Sequence, residues 1–359
     1  MTQDHIAETL HFYLHPTFWP VGDIPETADS YWPGFDFGPY IWTVQTALRL
    51  NRAGIPSQLV RELPTDGIVL AHRESLAAID GKFTERVTAT ATRFVVDMSA
   101  DLPPYSGANL HIVQNRSMTR FGPSFIHVRH WPQPGLIPRD LARGQRFENI
   151  SYLGNAKNLV PELRSSRWRA ALAARQLTWR APAKSFDHGA PESYHLASDW
   201  HDYRSVDAII AVRGFSARPA PSDDRKPASK LYNAWIAGVP AILGRESAYR
   251  DERRSELDYL EVGDYDGLVG AIDRLRSDAE LRRAMIDNGL RRAPEVTAAA
   301  TTEAWRAIVT DRIWPAYHAW VAMGPVGRRW QASRKTLRFQ AARGQRRLAR
   351  LGARWLPIG

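Results

Sequence analysis

Two doubly wound α/β domains, facing one another across a cleft, are what this sequence predicts. The first observation is length: 359 residues suffice for two cores of ordinary size. The second is alternation. Short β-rich runs are separated by segments with helical spacing, as parallel sheets covered on both faces require. The third is a break: three prolines and a glycine in "PQPGLIPRD" (132–140) interrupt the rhythm, and it then begins again. The expected division is 1–145 for the first domain and 146–300 for the second. A helix over 301–325 is expected to pack back across the domains, followed by a basic tail over 326–359.

In the first half, "LHFYLH" (10–15) reads as a strand. An aromatic, proline-rich loop leads into "PYIWTVQTALRLNRAG" (39–54), which has helical spacing and ends in Gly54. "DGIVLAH" (66–72), "RFVVDMS" (93–99), "NLHIVQN" (109–115) and "SFIHVRHW" (124–131) are β-rich runs bounded by turn residues.

The second half repeats the pattern. "ISYLG" (150–154) and "QLTWRA" (176–181) read as strands around a helix over 161–176, and "ASDWHDYRSV" (197–206) reads as a helix capped by Ser198 or Asp199. "DAIIAVR" (207–213) is almost continuously apolar, as a doubly covered parallel strand is. "SKLYNAWIA" (229–237) is helical, with Gly238 as its C-cap and a buried strand after it. "YLEVG" (259–263) is the last strand, and 266–290 and 297–320 are mainly helical.

Composition narrows the function classes. The chain is 44% hydrophobic and 24% charged, which fits a globular protein. It shows no basic-then-apolar leader and no apolar run long enough to cross a bilayer, so cytoplasm is the expected compartment. The absence of cysteine removes disulfides and thiolate metal sites. The net charge of +10 is local: 11 of the 48 Lys and Arg residues follow Asp311 with no acidic residue among them, leaving 37 basic against 38 acidic residues before that point. A neutral body argues against a nucleic-acid binder. The tail from Arg328 to Trp355 is amphipathic if helical, with Trp330, Leu337, Leu348, Leu351 and Trp355 opposite most of its arginines. Such a segment suits either an anionic membrane surface or a disordered solubilising tail.

The stretch "KPASKLYNAWIAGVPAILG" (226–244) poses a physical question. A helix N-terminus is already partially positive, so Lys226 and Lys230 beside it are mildly unfavourable, by about 0.3–1 kcal/mol each. In open α/β sheets ligands bind beyond the carboxyl ends of strands, against helix N-termini. Arg213 ends a strand and points towards the same place. A diphosphate there would turn the penalty into charge-assisted hydrogen bonds; solvated surface cations are the alternative.

These residues resemble a family. "KPASKLYNAWIAGVPAIL" resembles the donor-site helix and strand of GT-B fold glycosyltransferases, whose group 1 members read E-A-x-x-x-G-x-P-V-I there. "WHDYRSVDAIIAVR" upstream and "YLEVGDYDGLVGAIDRLRSDAELRRAMIDNG" downstream are similar to the flanking segments of that family, so the resemblance covers about 147–320. It implies a GT-B-like fold, a nucleotide-sugar-binding second domain and an acceptor-side first domain. Many retaining members carry two glutamates eight residues apart. Arg225 and Asn233 stand at those positions, which leaves retention and inversion both open.

Arg213, Lys226 and Lys230 are the donor-diphosphate candidates. Ser229 is placed to cap the helix and donate to a phosphate. Asn233 and Glu246 are candidates for ribose or sugar hydroxyls, Glu246 equally a loop charge, and Lys157 is a further anion candidate. His72, ending a strand, either touches the donor sugar or is structural. Asp97 or Asp101 either orients or deprotonates the acceptor hydroxyl, or Asp101 caps a turn. His130 and Trp131 either line the cleft or pack it. The aromatic loop 15–40, with Trp19 and Trp32, is either a sugar platform or an extension of the core. Asp264 and Asp266 form a D-x-D that reads as a helix cap, and the His/Asp cluster over 187–202 fits no metal template, so no metal is expected.

The expected function is a metal-independent hexosyl transfer, without a cofactor, from a nucleotide-diphosphate sugar to a glycan or lipid-linked acceptor. By resemblance the setting is bacterial surface polysaccharide or glycolipid synthesis, in the cytoplasm or on the inner face of the membrane. A catalytically silent nucleotide-sugar-binding protein of the same fold and a sugar-nucleotide epimerase are the alternatives.

Overall fold

A computed structural model describes residues 8–20, 22–78, 84–181, 199–215 and 223–334. The first sheet contains β1 (Leu10–Tyr13), β2 (Ser57–Val60), β3 (Gly67–His72), β4 (Arg93–Ala100), β5 (Leu110–Val113) and β6 (Phe125–His127), all parallel and ordered β2-β1-β3-β4-β5-β6. The second contains β7 (Asn149–Ser151), β8 (Thr178–Arg180), β9 (Ala208–Ala211), β10 (Ala241–Gly244) and β11 (Leu260–Val262), also parallel, ordered β11-β10-β9-β7-β8. Counted from each domain's own start, both sheets run second, first, third, fourth, fifth. In both, the chain reverses its winding between the first and third strands, and a crevice opens at that point.

The helices follow from the spacing of apolar residues and from their caps. A π-helical turn at Tyr40–Val44 runs into α1 (Gln45–Arg52), and α2 (Arg73–Leu76) follows β3 directly. In the second domain come α3 (Ser166–Ala173), α4 (Ser229–Ala237), α5 (Ser247–Glu252), α6 (Tyr265–Ser277) and α7 (Ala279–Arg292). Gly238 ends α4 in the left-handed region at φ 67°, which a Cβ would disfavour, and the chain turns at once into β10. Asp264 caps α6 by accepting from Gly267 N at 2.7 Å, and Asp266 pairs with Arg167 at 2.7 Å, so the D-x-D is a helix start.

The chain crosses between the sheets twice. After α7 it returns to the first domain as α8 (Ala298–Ile308), a second π-helical turn at Val309–Ile313, and α9 (Trp314–Ala322). Trp305, Ile308, Ile313, Trp314 and Trp320 join the first domain's core with Leu10, Trp42, Phe94 and Val96. Fully burying one such large side chain contributes about 1.5–3 kcal/mol, so the return helices are integral to that core. The second core, from Ile150 to Val296, is separate.

One expectation fails, and one strand was not anticipated. No helix forms over 199–206. Ile137 of the domain connection pairs instead with this segment, donating its N–H to His201 O at 2.8 Å and accepting from Tyr203 N at 3.0 Å, and the Tyr203 side chain is fully buried. Backbone groups committed to a bridge cannot also make helical bonds. β2 was missed because "SQLV" is a short edge strand with only Ser57 buried.

Candidate functional site: a cleft with a cationic wall

A cavity of about 440 Å³ lies where the carboxyl ends of the two sheets meet. The first domain lines it with the loop after β1 (Asp36, Phe37, Gly38), Trp42 of the π-helical turn, His72 at the end of β3, Asp101 after β4, Gln114 after β5 and His130 after β6. The second domain lines it with Gly154, Asn155 and Lys157 after β7, Trp200, Arg213 after β9, Arg225, Lys226 and Pro227 before α4, and Ser229 and Lys230 in its first turn.

Arg213 is fixed from behind. Its Nε donates to Glu246 Oε2 at 2.7 Å, and Glu246 is buried. Burial opposes the charge on Arg213, and the adjacent Glu246 carboxylate more than offsets it, so the guanidinium pKa lies above its ordinary value. Glu246 thus positions a cation rather than facing a sugar.

Lys230 has no such counter-ion: among the described residues no carboxylate lies within 4 Å of its amine, which sits 5.9 Å from the Trp200 ring centre. Burial, reinforced by Arg213 and opposed by Asp36 and Glu246, lowers its pKa to about 8. Gly154 makes room for it, since a Cβ there would lie 2.9 Å from Lys230 Cε and 3.1 Å from Nζ. The N-terminus of α4 is open as well. Its N-cap is Ala228, which offers no side-chain acceptor, and Ser229 is the first helical residue, lining the cavity instead of capping. Free N–H groups, an aliphatic hydroxyl, Lys230 and Arg213 therefore converge on one region of the cavity.

Lys226 is placed differently from expectation. Its amine contacts the Asp101 carboxylate across the cleft. Arg225 Nε donates to Asp101 O at 3.3 Å, Gln114 Nε2 to Arg225 O at 3.2 Å, and Asn115 Nδ2 to Lys226 O at 3.0 Å. The segment before α4 is thus fastened to the first domain. Burial would raise the Asp101 pKa, but Lys226, with His72 and Arg213, brings it down to about 2. A carboxylate so held is a weak base, and the expected base role of Asp101 does not fit its surroundings.

The two histidines of the cavity are in opposite hydrogen-bonding states. His72 caps α2, its Nδ1 accepting from Glu74 N at 3.3 Å, so in the neutral ring Nε2 carries the proton. His130 Nδ1 lies 2.6 Å from Trp131 O, and because a carbonyl only accepts, Nδ1 carries the proton. Burial, aided by Lys230 and opposed by the Trp131 carbonyl bond and Asp101, lowers the His130 pKa to about 4.

Other expected residues lie elsewhere. Asn233 Oδ1 accepts from Gln133 N at 3.0 Å and ties α4 to the domain connection; it does not line the cavity. Trp19 and Trp32 pack into a small aromatic cluster around Phe18, Phe35 and Tyr40, so that loop extends the core. Asp97 is buried, accepting from Ser99 Oγ at 2.6 Å, Tyr105 N at 2.7 Å and His111 Nδ1 at 3.0 Å. Trp131 is buried, its indole N–H donating to Thr46 Oγ1 at 2.9 Å. The aromatic residues that line the cavity are Phe37, Trp42, Tyr152 and Trp200. Of these, Trp42 and Trp200 were hidden inside segments that read as ordinary amphipathic helices. The acidic and histidine cluster over 187–198 lies outside the described residues, as does the tail beyond Arg334.

No protein-family model matches this sequence, and no curated protein matches it. In three dimensions the chain is similar to a sucrose-phosphate synthase from Thermosynechococcus elongatus, at 12% identity and a TM-score of 0.42 over 68% of this chain and 73% of that one. It is similar to HepE from Anabaena in complex with UDP, at 11% identity and a TM-score of 0.45 over 84% of this chain and 100% of that one. It is similar to TarM, at 9% identity and a TM-score of 0.42 over 72% of this chain and 57% of that one. The topology itself states the fold: two parallel Rossmann-like sheets of matching strand order meet at a cleft, and the C-terminal helices return to the first domain. That is the GT-B arrangement.

Proposed function

We propose that this protein is a glycosyltransferase that moves a hexose from a nucleotide-diphosphate sugar to a glycan or lipid-linked acceptor. The observation that carries the reading is the open N-terminus of α4 with Lys230 and Arg213 beside it, facing a cavity between two sheets. A desolvated lysine without a counter-ion is costly in a protein that binds nothing there, and useful in one that binds a dianion. As the glycosidic bond to the donor breaks, negative charge builds on the departing diphosphate. Arg213, Lys230 and the helix N-terminus would stabilise it where a divalent cation otherwise serves. Glu246 keeps Arg213 aimed, and Trp200 offers an apolar face for a sugar ring. The first domain would receive the acceptor, and contacts across the cleft would exclude water.

Exposed Met323, Val326 and Trp330, three and four residues apart, share one side of the helical segment leading out of α9, with Arg328, Arg329 and Arg334 nearby. This supports a peripheral seat on an anionic membrane surface and hence a lipid-linked acceptor in surface polysaccharide or glycolipid synthesis. The direct test is a panel of nucleotide sugars followed by thermal shift and calorimetry. At least one should raise the melting temperature in a saturable way; a panel that leaves it unmoved would refute the reading.

A further inference from the structure

We infer that the sugar carried into the cleft is uncharged, that the Asp36 carboxylate accepts hydrogen bonds from its hydroxyl groups, and that a uronic acid in the same place is turned away by that carboxylate. This rests on the glycosyl-transfer reading above and names the class of sugar that reading would use.

The order of groups along a donor follows from the two walls. Arg213, Lys230 and the open start of α4 belong to the second domain, so a diphosphate held there directs its sugar across the cavity towards the first domain. The charged side chains that line the cavity on that side are Asp36, Glu74 and Asp101, with no lysine or arginine among the described residues. Asp101 is engaged by Lys226, and Glu74 lies 3.8 Å from His72. Asp36 is near enough to Lys230 to favour its charged form, yet the two do not form an ion pair, which leaves room between them.

Asp36 is built into place. Its Oδ2 accepts from Tyr31 OH at 3.1 Å and its Oδ1 from Gln133 Nε2 at 3.0 Å. Two neutral donors orient the carboxylate and favour its ionised form without cancelling its charge. Both donors are themselves fixed. Tyr31 stacks on His201, with 3.9 Å between ring centres and 17° between planes. The domain connection passes so close to Tyr31 that a Cβ on Gly135 would lie 2.5 Å from Tyr31 N, an approach only glycine permits. Gln133 N donates to Asn233 Oδ1 at 3.0 Å, and Asn233 stands about one turn beyond Lys230 in α4. The run Lys230, Asn233, Gln133, Asp36 therefore sets the width of the space from one wall to the other, and Trp200, the neighbour of His201, lines that space.

A neutral hexose meets this arrangement with hydroxyl donors, and a hydroxyl bonded to a fixed carboxylate is a charge-assisted contact. A uronic acid brings a second carboxylate into a cavity shielded from water, where like charges repel. The cations of the opposite wall face the diphosphate and do not relieve that repulsion.

The test is calorimetry on the full chain with pairs of donors that differ only at the sixth carbon: UDP-glucose against UDP-glucuronic acid, UDP-galactose against UDP-galacturonic acid, and GDP-mannose against GDP-mannuronic acid. In whichever pair binds, the neutral member should bind about 30–100-fold more tightly; equal or tighter binding of the uronic member would overturn the inference. Asp36→Asn keeps the shape and removes the charge, so the ratio should shrink to below about fivefold. A purely structural role would weaken both members alike, and an unchanged ratio would also overturn the inference. If that variant does not fold, the wild-type ratio decides alone. Binding of UDP or GDP with no binding of any sugar-bearing form overturns this inference and leaves the anion site standing. Failure of nucleotides and nucleotide sugars alike to bind removes the functional reading, and this one with it.

Discussion

The two walls of the cleft rest on sheets of the same strand order and carry opposite chemistry. Among the described residues, the second-domain wall presents Lys157, Arg213, Arg225, Lys226 and Lys230 and no carboxylate. The first-domain wall presents Asp36, Glu74, Asp101, His72 and His130 and no lysine or arginine. A shared topology places loops at equivalent points in both halves, and the side chains on those loops then divide the labour. One wall suits an anion; the other offers carboxylate and imidazole groups that can hydrogen-bond hydroxyls. The contrast also draws the walls together, through Lys226 and Asp101.

The largest effect should come from breaking the cationic wall at its buried root. Arg213→Met takes the guanidinium away from the buried Glu246 carboxylate, at a cost of about 3–5 kcal/mol. Urea unfolding should show that loss, and Arg213→Met combined with Glu246→Gln should recover much of it. Equal instability of the single and double variants would mean that the pair does not hold this wall.

Lys230→Met should separate binding from stability. Donor affinity should drop about 10–100-fold, the range of one charge-assisted hydrogen bond, while the fold is not weakened, because the amine is desolvated and lacks a counter-ion. The pH dependence follows from the lowered pKa. Between about 8 in the folded protein and the ordinary 10.5, the unfolded chain binds the extra proton, so stability should rise with pH across that window. That rise should vanish in the variant. Unchanged donor affinity would remove Lys230 from the anion site.

The smallest effect should come from the bridge between the walls. The Asp101 carboxylate is 40% exposed, so Asp101→Asn should cost under about 1 kcal/mol. The folded pKa is lowered to about 2, so this contribution is present above the ordinary carboxylate value and is lost as pH falls towards 2. Freed from its carboxylate, Lys226 should bind the donor modestly more tightly in calorimetry. Weaker binding would assign Asp101 to donor recognition.

Much of the second domain was legible because its signals are local. The strand at 207–213, the helix at 229–237 and its glycine stop are specified by neighbouring residues, and the cations cluster within a few positions of one helix start. The helix expected at 199–206 failed because a remote partner, Ile137, claimed its backbone. The first-domain wall was harder to read for the same reason. Asp101 looks like a free base until Lys226, 125 positions later, is found against it. Trp19 and Trp32 look like sugar platforms until the loop folds on itself, while the π-helical turn directs Trp42 to the cavity. His130 was noticed, but its protonation pattern depends on where one carbonyl points.

The return of α8 and α9 has a consequence for biosynthesis. Trp305, Trp314 and Trp320 belong to the core around β1 and β4, so residues made after the second domain complete the domain that precedes it. While the ribosome is still working, the second domain already possesses its whole interior and the first does not. The core of the second domain therefore closes before that of the first, and a chain cut short before Trp305 would leave the core around β1 and β4 incomplete.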